Sequence, residues 1–165
     1  MGKYEEVRER AVAGVKTDTA AKRWYAVGLA HMVHARMLIA RTQQAGSTDF
    51  TEAREMMNTA LDELRNAGHH ELISRGLIAL AELYQAMGQF ETAINELTDA
   101  IDNRTKGQMR LLHADALLQF MDICLASGKA DLARSKFDQA KTMIKRFGYG
   151  RRFAQLESLS ARLAQ

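Results

Sequence analysis

Hydrophobic residues along this chain recur three and four positions apart, the spacing that places side chains on one face of an α-helix. Leu77, Leu80, Ala81 and Tyr84 form one such set; Phe90, Ala93, Leu97 and Ala100 form the next. Gly88 separates them, and it is one of six glycines, at 46, 68, 88, 107, 128 and 148, spaced 22, 20, 19, 21 and 20 residues apart. Glycine is favoured just past a helix end, where the backbone turns left-handed without a Cβ clash. The spacing predicts helices of roughly 15–18 residues joined by short turns. Asp49 or Thr51 after Gly46, and Asp131 after Gly128, are the expected N-caps.

A longer period lies over this one. Ala53, Ala93 and Ala133 stand 40 residues apart, as do Ala60, Ala100 and Ala140. Met57, Leu97 and Phe137 share the interval, and so do Phe50, Phe90 and, with a loss of bulk, Ala130. Two helices per period, three times over, define an α-hairpin repeat. Antiparallel helices need small residues where their backbones approach and large ones between, so Ala81 and Ala93 are expected at the contact within one hairpin. Each hairpin leaves an apolar face that only a stacked neighbour covers.

This pattern resembles the tetratricopeptide repeat (TPR). Leu77, Leu80, Ala81, Tyr84, Gly88, Phe90, Ala93, Leu97 and Ala100 fall on its signature positions. Leu117, Phe120, Met121, Cys124, Gly128, Ala133, Phe137 and Ala140 match more loosely. Phe50, Ala53, Met57 and Ala60 fit the second helix of a first unit, while Trp24, Val27, Gly28 and His31 mimic its first helix. The latter four stand too far from Gly46 for a standard turn, so that helix is expected to be longer by about two turns. The period of 40 exceeds the family's usual spacing of about 34, and the proline that commonly closes each unit is missing. Longer units of this kind are similar to those of bacterial signalling proteins and of the sensor arms of large regulatory ATPases.

The resemblance implies an all-α fold, a right-handed superhelix of antiparallel α-hairpins with about eight helices, and a single domain over 1–165. Its parts are an N-terminal helix within 1–19 (residues 3–16), hairpins at 20–66, 69–104 and 108–147, and a capping helix at 149–165. Phe153, Leu156, Leu159 and Leu163 are expected on the inner side of that cap.

Composition supports the helical reading: proline is absent, while Ala, Leu, Arg, Glu, Gln and Met abound. A lone cysteine, Cys124, fits a reducing compartment, and no apolar core follows the charged start "MGKYEEVRERAV", so a cytoplasmic location is expected. No apolar run approaches the length of a bilayer crossing, so no membrane partner is expected. Charge is uneven. Residues 1–103 carry 11 Lys/Arg against 15 Asp/Glu, and residues 104–165 carry 12 against 5.

Catalytic chemistry finds little support. The chain has no Gly-rich phosphate loop, paired-cysteine metal motif or nucleophile elbow. His31 and His34 share a helix face, but no Cys, Asp or Glu lies one turn away to complete a metal site, and His113 would reach them only through the fold. His69 and His70 follow Gly68 in a turn, and Cys124 lies in an apolar stripe. No enzyme activity, metal or cofactor is expected.

A stack of hairpins instead presents the first helix of each to a concave groove, where peptides usually bind. The groove candidates are Arg36, Arg75, Ile78, Glu82, Gln85, Asp115, Leu118, Asp122 and Leu125, with Gln43 beside Arg36. The resemblance also implies a contrast. Relatives that grip the C-terminal carboxylate of heat-shock chaperones use Lys, Arg and Asn on this face, whereas Glu82, Asp115 and Asp122 here would repel it. The expected function is a protein-interaction module for a peptide or helix, free-standing or the sensing part of a bacterial regulator, with room for a homo-oligomer. One alternative is an acidic-partner or nucleic-acid patch of Lys141, Lys145, Arg146, Arg151 and Arg152, interleaved with Phe147, Tyr149 and Phe153, since single strands stack on aromatics among cations. A secretion-type chaperone is another, disfavoured by the unit length.

Overall fold

In the computed structural model, residues 2–102 and 109–164 are described. They contain eight α-helices and no strand: α1 (Gly2–Ala20), α2 (Trp24–Gln44), α3 (Thr51–Asn66), α4 (His70–Ala86), α5 (Phe90–Asp102), α6 (Arg110–Ala126), α7 (Ala130–Arg146) and α8 (Phe153–Leu163). A 3₁₀ turn, Gly150–Arg152, leads into α8. The starts of α4 and α6 are 40 residues apart, as are those of α5 and α7, so the sequence period is the period of the helices. The chain forms two compact units, Met1–Gly88 and Gln89–Gln165.

The turns follow the glycines. Gly46, Gly68, Gly88, Gly128 and Gly148 all have positive φ, between 61° and 75°. At Gly46 the Ser47 N–H reaches back to the Thr42 carbonyl at 3.1 Å, and at Gly128 the Lys129 N–H reaches Cys124 O at 2.8 Å. These six-to-one bonds satisfy carbonyls that the helix end would otherwise leave unpaired. The turn expected at Gly107 lies outside the described residues.

One helix end has no glycine marker. Lys22 takes φ 55°, and the Arg23 N–H bonds the Asp18 carbonyl at 2.8 Å, giving α1 the same closure with a lysine in the left-handed position. The Arg23 guanidinium also holds the Asp18 carboxylate, with Nε at 2.8 Å. Helix α1 therefore runs past the expected 3–16. Helix α2 is 21 residues long against 17 in α4 and α6, a lengthening of about one turn rather than two.

The expected caps are also displaced. Phe50 is the N-cap of α3 and Lys129 that of α7, and neither makes a side-chain cap bond. Asp49 instead accepts the Thr51 N–H at 3.0 Å, and that hydrogen bond holds its carboxyl below the usual range. Asp131 lies within the first turn of α7, where a negative charge favours the helix dipole. After Gly128 a single residue precedes the helix, leaving no room for a cap at 131.

In the first unit α3 packs on both α2 and α4, while α1 lies along α2. Met32, Ala35, Leu38, Phe50, Ala53, Met57, Ala60, Leu61, Ala79 and Leu83 share one core. Burial of a Leu- or Met-sized side chain contributes about 1.5–3 kcal/mol. In the second unit α6 packs between α5 and α7, and α8 rests on both α6 and α7. The repeat columns are the buried ones: Ala53, Ala60, Ala93, Ala100, Ala133 and Ala140 are 0–1% exposed. Ala81 is also fully buried. The Phe50–Phe90–Ala130 column fades from buried to exposed along the chain.

Candidate interaction surfaces

The first helices of the first unit, α2 and α4, are tied together at their outer face by Arg36 and Glu82. Arg36 donates from Nε to Glu82 Oε2 at 2.8 Å and from Nη2 to Oε1 at 2.7 Å. A two-pronged guanidinium–carboxylate contact fixes orientation as well as distance. Both side chains remain partly open to solvent, so the pair adds little to stability. One turn before Arg36, Val33 is 47% exposed, an apolar side chain beside a fixed ion pair.

The other groove candidates divide by placement. Arg75 turns to Glu71 on its own helix, with Nη2–Oε1 at 2.8 Å. Gln85 and Leu125 are half-buried, and Gln43 is exposed. Ile78 and Leu118 are 6% and 0% exposed, which makes them core residues. Asp115 is covered by the C-terminal segment: it accepts Tyr149 Oη at 3.0 Å and Arg152 Nε at 2.7 Å. Asp122 is held by Arg162 from α8. All three carboxylates read as a bare acidic edge, Glu82, Asp115 and Asp122, thus carry an arginine.

The basic candidates meet the groove candidates here, since Arg152 neutralises Asp115. Burial works against the Arg152 charge, but the Asp115 hydrogen bond and charge raise its pKa above the ordinary value. Tyr149 is 6% exposed, with the Arg151 guanidinium 4.7 Å from its ring centroid. Phe147 carries Arg110 at 5.2 Å and Arg146 at 5.7 Å, and Lys141 lies 5.6 Å from the Phe137 centroid. Lys145 is exposed. Inside α8, Leu156 and Leu159 are buried, but Phe153 is 39% exposed. Its ring lies 4.0 Å from the position a Gly150 Cβ would take, so it covers the 3₁₀ turn instead of entering the core.

Among the described residues no group of three or more His, Cys, Asp or Glu side chains converges as a metal site. His31 is engaged by α3, with Nδ1 2.6 Å from Glu63 Oε2. His34 is 7% exposed, its Nε2 has no hydrogen-bond partner, and burial lowers its pKa. Burial pushes the Cys124 thiol up to about 11, with Lys129 opposing. A thiol so raised is protonated at neutral pH and a poor nucleophile. A shallow cleft of about 440 Å³, lined by Tyr4, Glu5, Arg41, Gln44 and Ala45, went unanticipated because it depends on α1 lying against the end of α2.

Within each unit, antiparallel helices pack on their neighbours in chain order, the architecture of an α-helical repeat. Residues 33–106 match the family model for the tetratricopeptide repeat, and the all-helical architecture of the described residues agrees with that match. Repeats of this family mediate protein–protein interaction and are typically non-catalytic. No curated protein and no solved structure matches the chain. Among the described residues no helix is long and apolar enough to cross a membrane.

Proposed function

We propose that the chain is a non-catalytic module that holds a peptide or helix of another protein against the α2–α4 face, as the sensing or scaffolding part of a bacterial regulatory system. The observation that carries this reading is the Arg36–Glu82 bridge with Val33 exposed beside it. An apolar contact edged by a pre-oriented ion pair gives a docking segment both buried area and a register.

A photo-crosslinking residue at Val33 tests it, because the captured segment can be mapped and synthesised. The double substitution Arg36→Glu with Glu82→Arg keeps an ion pair between the helices while reversing its polarity. The fold should persist, and affinity for the synthesised segment should fall about tenfold, the effect of a lost charge-assisted contact. Unchanged affinity in the swapped variant, or crosslinks no stronger than from a probe at exposed Asp131, would refute the assignment to this face.

A further inference from the structure

Residues 104–165 hold 12 Lys/Arg and 5 Asp/Glu. Three of those acids are taken within the second unit: Asp115 by Arg152, Asp122 by Arg162 and Asp131 by Arg134. Arg110, Lys141, Lys145 and Arg146 make no ion pair among the described residues. They are not scattered. Arg110 opens α6 and Arg146 closes α7, and the antiparallel packing of these helices brings both guanidiniums onto one ring, Phe147.

Two like charges gathered at one ring repel one another. The face of an aromatic ring offsets this in part through its negative quadrupole. The helix dipole explains Lys145 and Arg146, which sit at the negative end of α7. It does not explain Arg110, which stands in a first turn that contains no acid. Both guanidiniums are exposed and have no ion-pair partner among the described residues, so a carboxylate docked beside Phe147 would take charge-assisted hydrogen bonds from them.

We infer that the Phe147 guanidinium pair, extended by Lys145, is a second docking surface that takes an acidic protein segment. Nucleic acid is the less favoured occupant because the rings that would stack on bases are engaged. Tyr149 is buried with its hydroxyl on Asp115, and Phe147 already carries two arginines. What the surface leaves open is cationic charge in a fixed, fork-shaped form, suited to side-chain carboxylates.

The test is fluorescence anisotropy of the full chain with a labelled oligoglutamate peptide and, separately, with an oligothymidylate of equal charge. Saturable binding of oligoglutamate is expected, weakening as salt is added. Arg110→Gln with Arg146→Gln should lower its affinity about tenfold, while Lys16→Gln with Arg54→Gln, an equal charge loss elsewhere, should change it less than about twofold. Phe147→Leu, which keeps every charge but releases the guanidiniums, should weaken binding by about threefold. Circular dichroism confirms that each variant folds; should Phe147→Leu fail to fold, the arginine pair decides alone. Absence of saturable oligoglutamate binding, or equal losses in both double variants, overturns the inference. Tighter binding of oligothymidylate through the same arginines overturns it in favour of a nucleic-acid surface.

Discussion

Gly76 and Leu61 leave no room between them for a methyl group: a Cβ on Gly76 would lie 2.6 Å from Leu61 Cδ2. Gly28 has the same relation to α3 from the other side, with a Cβ 2.7 Å from Leu64 Cγ and 3.1 Å from the Ala60 carbonyl oxygen. Helix α3 thus approaches both of its neighbours at a glycine. Alanine exceeds glycine in helix propensity by about 1 kcal/mol, yet overpacking costs about 1–3 kcal/mol. Gly28→Ala and Gly76→Ala should therefore lower the urea midpoint. Gly28 should show the larger loss, because a backbone carbonyl yields less than a leucine tip.

Ala93 and Ala45 give a matched comparison. Ala93 is fully buried and Ala45 is exposed at the end of α2. Ala93→Leu should destabilise by about 1–3 kcal/mol, and Ala45→Leu by less than about 0.5 kcal/mol. Urea denaturation of the two variants separates them, and equal midpoints would mean that the column 53–93–133 is not a packing register.

His34 makes stability depend on pH in a definite direction. Its pKa is lowered in the fold from an ordinary 6.5, first by burial and then by Arg8, His31 and Arg41, with Glu52 opposing. Above 6.5 both folded and unfolded forms are neutral at this site, so it contributes no slope. As pH falls below that value the unfolded chain takes up the proton first, and stability falls. His34→Gln should flatten this slope in thermal melts recorded across the window.

Cys124 should resist alkylation. With its pKa raised to about 11 and its side chain buried, iodoacetamide at neutral pH should react at a rate set by unfolding. Addition of urea to the transition midpoint should accelerate labelling sharply. Fast labelling of the native protein would mean that α6 opens locally.

Asp115 anchors the C-terminal segment, and its loss leaves the Arg152 guanidinium and Tyr149 hydroxyl without their acceptor. Asp115→Ala should cost about 1–3 kcal/mol, reduced by the solvent access of Arg152. Amide exchange should rise in α8 before it rises in α7, which keeps its packing on α6.

The periodic part of this fold is written plainly in the chain. Two columns of three alanines at a 40-residue period mark helix contacts, and five left-handed glycines mark helix ends, because each role admits few residue types. The failures arise where a role admits more. Lys22 ends α1 in a conformation usually left to glycine, so the boundary carried no signal. Gly76 looks like any mid-helix glycine until Leu61 is placed against it. The face residues Arg36 and Glu82 follow from helical periodicity. Their pairing across 46 positions does not, since it depends on how two helices align. Asp115 and Arg152 belong to separate surfaces by sequence position, yet they pair, because a sequence shows charge but not the partner that folding supplies.

Within each unit the main helix contacts are with the next or next-but-one element: α1 with α2, α2 with α3 and α4, α6 with α7 and α8. No strand or long crossover staples distant parts of the described chain. Under tension applied at its two ends, such an architecture has no single bond row that must break at once. It peels helix by helix from the extremities at low force, and on release it rewinds from whichever neighbouring pair meets first. A segment held on the α2–α4 face would act as a clasp, since Arg36 and Glu82 lie on helices separated by α3. Occupancy would then be readable as a delay in extension, a mechanical signal carried by the same contacts that we propose for binding.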